Sequence, residues 1–194
     1  MDAFELLVQA HRPAMKPVLA RLVLILESQQ VRYVIGGANA LSLYVRPRMT
    51  LGVDAFVELA RKAEMDTLLA SEFQVVNVGN LQSKFKEADV EIDIRYAGTS
   101  AEEFALANVR HAVILGTKLK APSAEALLWL YLASAQEQNV VDARKLLRAN
   151  LALDIKLVRV QLERHQPDLL PKLEKMLHRA RQSVASDEES RRRS

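Results

Sequence analysis

The chain has 194 residues and a mass of 21.8 kDa, with 49% hydrophobic and 26% charged side chains, an ordinary globular composition. It contains no cysteine, which excludes a disulfide scaffold, a thiolate zinc site and a cysteine nucleophile; its four histidines (His11, His111, His165, His178) stand at no metal-ligand spacing. The net charge of +3 lies at the C-terminal end, where Lys172, Lys175, Arg179, Arg181, Arg191, Arg192 and Arg193 outnumber Glu174, Asp187, Glu188 and Glu189. The rest is neutral, so a nucleic-acid-binding body is not expected. No uninterrupted apolar run approaches the roughly 18 residues of a membrane span, and the start MDAFELLVQAHR is acidic and amphipathic rather than a signal peptide. The expectation is a cytoplasmic protein with no membrane partner.

In chain order, residues 2–11 and 14–29 read as amphipathic helices separated by Pro13; in the second, Leu19, Leu22, Val23 and Leu26 share one helical face. Residues 31–35 are a β-branched run ending at Gly36–Gly37, a buried strand stopping at a tight turn. A short helix over 38–45 ends before Arg46-Pro47-Arg48, because the residue preceding proline avoids the helical region. A strand over 53–58, a helix over 60–71 and a strand over 73–78 follow. Residues 89–96 alternate cleanly, with Val90, Ile92 and Ile94 on one face and Glu91, Asp93 and Arg95 on the other. Ser100 and Glu103 have capping-box spacing and open a helix to about 109; residues 111–115 form a further strand. After Ala121-Pro122-Ser123 only helices are predicted, over 123–136, 140–150, 154–165 and 171–183. The expected organisation is an α+β core over 1–121, a helical region over 122–184 and a disordered charged tail over 185–194.

The chemistry concentrates between residues 33 and 57. Gly36 and Gly37 leave a strand and enter a helix, where glycine lets backbone N–H groups approach a phosphate. Arg48 and Thr50 precede Asp54 on a strand, and Asp93 lies on a later one. This order resembles the nucleotidyltransferase superfamily with the DNA polymerase β-like fold. It is most similar to the minimal and AbiEii-type toxin–antitoxin branch, whose pattern runs Gly-Gly, a helix, Arg-x-Thr-x-Asp-x-Asp, then an Asp on a later strand. Residues 118–127, Lys-Leu-Lys-Ala-Pro-Ser-Ala-Glu-Ala-Leu, are similar to that branch's entry into its helical half. The resemblance covers roughly residues 31 to 148.

It implies a mixed β-sheet core with flanking helices, an NTP ligand and Mg²⁺. Carboxylates at i and i+2 of a strand share a face about 6.6 Å apart, and with a third from a neighbouring strand they reach two Mg²⁺ ions about 3.5–4 Å apart that clamp the oxygens of an α-phosphate. On this pattern Asp54 and Asp93 are the metal-binding and catalytic residues, Gly36 and Gly37 the phosphate cradle, and Arg48 and Thr50 phosphate-side support. The first carboxylate position is Gly52, which supplies no ligand. In the helical half, where the branch carries a lysine and Lys-Asp-x-x-Asp, this chain has Tyr131 and Gln138-Asn-Val-Val-Asp142.

These departures favour a degenerate nucleotidyltransferase-fold protein, a binding or assembly module retaining Mg-nucleotide affinity through Asp54 and Asp93. The alternatives are an active enzyme moving a nucleoside monophosphate to a protein, RNA or small-molecule hydroxyl, and a pure oligomerisation or partner-docking protein. An antitoxin-like protein partner is compatible with the branch. Gly52→Asp is expected to restore a metal ligand. Arg46 is a further phosphate candidate; Lys84 and Lys86 have the charge to meet an anionic ligand but are expected to be solvated loop lysines, and His111 structural. Trp129 and Tyr131 are expected in the core, and the 156–181 face as solvated helix surface.

Overall fold

A computed structural model of the chain describes residues 13–149 and 152–193, with side chains as far as residue 180 and at Gln182. The helix expected over 2–11 lies outside these residues. The chain divides into two compact units, Met1–Ser123 and Ala124–Ser194. Among the described residues no helix is long and apolar enough to cross a membrane.

In the first unit β1 (Tyr33–Ile35), β2 (Gly52–Glu58), β3 (Gln74–Val78), β4 (Gln82–Glu87) and β5 (Val90–Ala97) form a five-stranded sheet in the order β1-β2-β5-β4-β3. β2 and β5 run parallel; the other neighbours are antiparallel. The alternation along β5 sets the two faces of the sheet. Val90, Ile92, Ile94 and Tyr96 are buried, together with Val53, Ala55 and Val57 of β2 and Phe85 of β4. Three helices contribute to this core: α1 (Met15–Ser28) with Leu19, Leu22 and Leu26, α3 (Lys62–Glu72) with Met65 and Leu69, and α4 (Ser100–Ala107) with Ala101 and Ala105. Each fully buried leucine or isoleucine contributes about 1.5–3 kcal/mol. One polar tie joins α3 to β5: the Tyr96 hydroxyl donates to Asp66 Oδ1 at 2.5 Å, and Lys62 pairs with the same carboxylate. The opposite face carries the polar phase of the strands, and α2 (Gly37–Leu41) starts against it.

Three local expectations differ from the structure. Residues 82–87, expected as loop, form β4 between β5 and β3. Its alternation is present, with Ser83 and Phe85 inward, but Phe85 is its one large apolar residue, too faint a signal to stand out in sequence. The strand expected over 111–115 belongs to a separate two-stranded sheet of β6 (Val109–Ile114) and β7 (Thr117–Pro122), joined by Leu115 and Gly116 with φ of 51° and 76°. Two consecutive left-handed residues are what a type I′ hairpin loop requires. The capping box falls one residue earlier than expected. Thr99, in extended backbone, caps α4 and exchanges hydrogen bonds with Glu102, whereas Ser100 is already helical.

The second unit consists of α5 (Ala124–Ala133), α6 (Glu137–Ala149), α7 (Ile155–His165) and α8 (Leu170–Arg193). α5 buries Leu127, Leu128, Trp129, Tyr131 and Leu132, as a helix apolar all round must. Trp129 Nε1 donates to Gln166 Oε1 at 2.6 Å, and Lys172 Nζ caps the end of α5 on the Leu132 carbonyl at 2.7 Å. The backbone of α8 continues to Arg193, where the charge pattern predicts disorder. Sequence offers a reason: Asp187, Glu188 and Glu189 precede Arg191, Arg192 and Arg193 by four, the spacing that supports a helix.

The β4–β5 turn gives a test of local strain. Ala88 holds a φ of 52°. A non-glycine residue there costs about 1–2 kcal/mol, more than the roughly 0.5–1 kcal/mol that glycine's extra chain entropy would subtract. Ala88→Gly should therefore raise stability by about 0.5–1 kcal/mol in urea unfolding; a loss of stability would contradict the turn geometry.

Candidate functional site

The two aspartates singled out in the sequence meet on the polar face of the sheet. Parallel pairing sets Asp54 of β2 opposite Asp93 of β5, so both carboxylates leave the same face at one strand spacing, about 4.8 Å. β5 also contributes Glu91, opposite Gly52, and Arg95, opposite Phe56. β4 adds Lys84 opposite Asp93, Lys86 opposite Glu91 and Gln82 opposite Arg95. One row across three strands thus reads Asp54, Asp93, Lys84.

The diglycine bend closes on this row. The Gly36 N–H donates to the Asp54 carbonyl at 2.8 Å, seating the start of α2 on β2. Gly37 has a φ of +56°, and a Cβ there would lie 1.9 Å from Asp54 Oδ2; a Cβ on Gly36 would lie 2.6 Å from the Phe56 ring. Any side chain at 37 would displace the Asp54 carboxylate, so the glycine is required by close approach as well as by backbone conformation.

Asp93 is held by Gln82, whose Nε2 lies 2.6 and 2.7 Å from its two oxygens, and Lys84 Nζ stands 3.8 Å from Oδ2. Asp54 is half-buried, and burial together with the Asp93 charge pushes its carboxyl up to about 6; Arg95, Arg48 and Lys84 oppose that rise. Thr50 Oγ1 donates to the Gly52 carbonyl at 3.1 Å and accepts from its N–H at 3.4 Å. Arg48 donates to the Met49 carbonyl at 3.1 Å and acts on Asp54 through its charge, whereas Arg46 is exposed on the same loop.

Two residues here escaped the sequence reading. Asn39 of α2 is fully buried; its Nδ2 donates to the Gly52 carbonyl at 3.1 Å, and its Oδ1 has no hydrogen-bond partner among the described residues. Gln82 is the other. Each carried a faint signal, a lone amide in the apolar run 38–41 and the polar phase of 82–86.

The expectation that Gly52→Asp restores a ligand is overturned. A Cβ at 52 would lie 2.1 Å from the Glu91 carbonyl oxygen and 2.9 Å from Glu91 Cβ. Backbone occupies that space, so no side chain enters without moving a strand. Among the described residues, no three His, Asp or Glu side chains gather as a metal-holding group. His111 lies on β6, in the two-stranded sheet. In the second unit Asp142 is buried and accepts from Gln138 at 2.9 Å.

No protein-family model matches the chain, and no curated protein matches it in sequence. Solved structures do. The solution structure of the antibiotic-resistance factor ANT(2'')-Ia is 16% identical, with 92% of this chain and 97% of that chain covered at a TM-score of 0.56. The crystal structure of ANT(2'')-Ia in complex with adenylyl-2''-tobramycin is 17% identical, covering 75% and 93% at 0.55. An antigenic nucleotidyltransferase-like protein from Paracoccidioides brasiliensis is 18% identical, covering 84% and 91% at 0.50. The chain has a nucleotidyltransferase fold. At these identities the likeness extends to the fold alone.

The raised Asp54 carboxyl has a consequence for stability. The folded chain binds this proton more tightly than the unfolded chain, so the contribution is present below about pH 4 and is lost as pH rises through about 6. Asp54→Asn removes the buried charge. In EDTA at about pH 7.5 the variant should be more stable than the parent by about 1–3 kcal/mol, and near pH 4 the two should coincide. Equal denaturant midpoints at the higher pH would contradict the electrostatics described.

Proposed function

We propose that the chain is a nucleotide-binding module on a nucleotidyltransferase fold, holding a single divalent cation and lacking nucleotidyl transfer. The observation that carries this reading is at Gly52, whose Cβ space belongs to the Glu91 carbonyl at 2.1 Å. Two carboxylates remain, and Mg²⁺ is commonly held by one or two carboxylates completed by substrate phosphates. The donor set fits one such ion: Asp54 and Asp93 share a face at one strand spacing, and their two carboxylates lie side by side. Bound there, Mg²⁺ would supply positive charge to phosphate oxygens. Around it, Gly36 and Gly37 let the start of α2 close against the Asp54 carboxylate and the Phe56 ring, Gln82 fixes the Asp93 rotamer, and Arg48 and Thr50 flank the β2 end of the site. The adenylylated antibiotic bound by ANT(2'')-Ia makes ATP the first nucleotide to test.

The narrower kinship with the AbiEii-type toxin–antitoxin branch, and with it an antitoxin-like protein partner, rests on the Gly36–Gly37 bend, Arg48, Thr50, Asp54, Asp93 and the 118–127 segment. An active single-cation enzyme is the second reading. It is favoured by the fold shared with ANT(2'')-Ia, whose crystal structure holds adenylyl-2''-tobramycin.

Calorimetric titration with Mg-ATP and Mg-CTP, beside incubation with labelled NTPs and candidate acceptors, separates the accounts. The module predicts heat that requires Mg²⁺, is lost in Asp93→Asn, and comes with no transferred label. Transferred label would make it an enzyme, and no heat with either nucleotide would leave a docking protein. Gly52→Asp should destabilise the chain by about 1–3 kcal/mol or more and add neither Mg²⁺ affinity nor transfer.

A further inference from the structure

We propose that Lys84 is the phosphate-side cation of this site, its ammonium leaving Asp93 and engaging the ligand's phosphate oxygens when nucleotide binds. The inference rests on the nucleotide-binding reading above and takes up a lysine for which sequence favours solvation over contact with an anion.

The register supplies the first reason. Lys84 shares one row with Asp93 and Asp54, so its Cα stands about one strand spacing from the third carboxylate and two from the second. That its flexible stem spans the gap is evident from Nζ, 3.8 Å from Asp93 Oδ2.

The second reason is that Asp93 does not depend on Lys84 for its position. Gln82 Nε2 already contacts both Asp93 oxygens at 2.6 and 2.7 Å. The Lys84 side chain is 51% exposed, and an ion pair at that exposure adds little stability. A charge-assisted bond to a phosphate oxygen is a stronger interaction, so the exchange of partner is favourable.

Charge supplies the third. With backbone filling the Cβ space of Gly52, the site lacks the carboxylate that would help hold a second cation. A polyphosphate then needs positive charge from the chain itself. Lys86 is the natural comparison, because it lies on the same strand and face but one row away, opposite Glu91.

The test is calorimetry of the full chain with two probes, inorganic tripolyphosphate and ATP, each in Mg²⁺. Lys84→Met keeps the stem and removes the charge. It should weaken both probes by about tenfold or more, Lys84→Arg should recover most of the loss, and Lys86→Met should stay within about twofold of the parent. Parent-like affinity of Lys84→Met overturns the proposal and leaves the nucleotide reading intact. So does a loss confined to ATP, or an equal loss in Lys86→Met, since neither is a phosphate contact specific to Lys84. Absence of heat in the parent with both probes overturns this inference and the nucleotide reading together. Thermal melting of each variant keeps a folding defect apart from a binding one.

Discussion

In a parallel pair, residues opposite one another present their side chains to one face at one strand spacing, and the Asp54–Asp93 register therefore sets two carboxylates side by side. Two like charges about 5 Å apart repel by roughly 3 kcal/mol at an effective dielectric of 20; burial first, and this repulsion second, push the Asp54 carboxyl up to about 6. Arg48, Arg95 and Lys84 offset part of that repulsion. The apolar face of the same strands, with Val53, Ala55, Ile92 and Ile94, is buried and offsets that cost. Packing on one side of the sheet thus sustains an electrostatically costly arrangement on the other, as functional sites commonly require.

The start of β2, two residues before Asp54, is built to a different rule. Gly52 is held by its carbonyl, which accepts from Asn39 and from Thr50, while the Glu91 carbonyl fills the space beside its Cα. The backbone is fixed from both sides, so a carboxylate at 52 is barred by geometry as well as by residue identity. That constraint turns a missing side chain into a structural feature of the strand pair.

Much of the fold was legible because period-two patterning was strong where it mattered. Val90, Ile92 and Ile94 alternating with Glu91, Asp93 and Arg95 fixed both the strand and the face that carries Asp93. The diglycine bend was legible because two glycines after a β-branched run have few other uses. β4 was not, since a strand with one large apolar residue becomes a strand through its neighbours, and Lys84 and Lys86 on it look like loop lysines until β5 lies beside them. The row Asp54, Asp93, Lys84 and the contact between Gly52 and Glu91 depend on register between distant segments, which local patterning does not encode. Asn39 and Gln82 are legible only as polar residues in their segments; their hydrogen-bond partners come from other strands or across the fold.

On the proposed reading, Asp54 and Asp93 together seat one divalent cation. Electron paramagnetic resonance titration with Mn²⁺, a spectroscopic stand-in for Mg²⁺, tests it without reference to any reaction. The account predicts a single bound ion per chain, lost in Asp54→Asn and equally in Asp93→Asn. Two ions per chain, or binding that survives both substitutions, would contradict it.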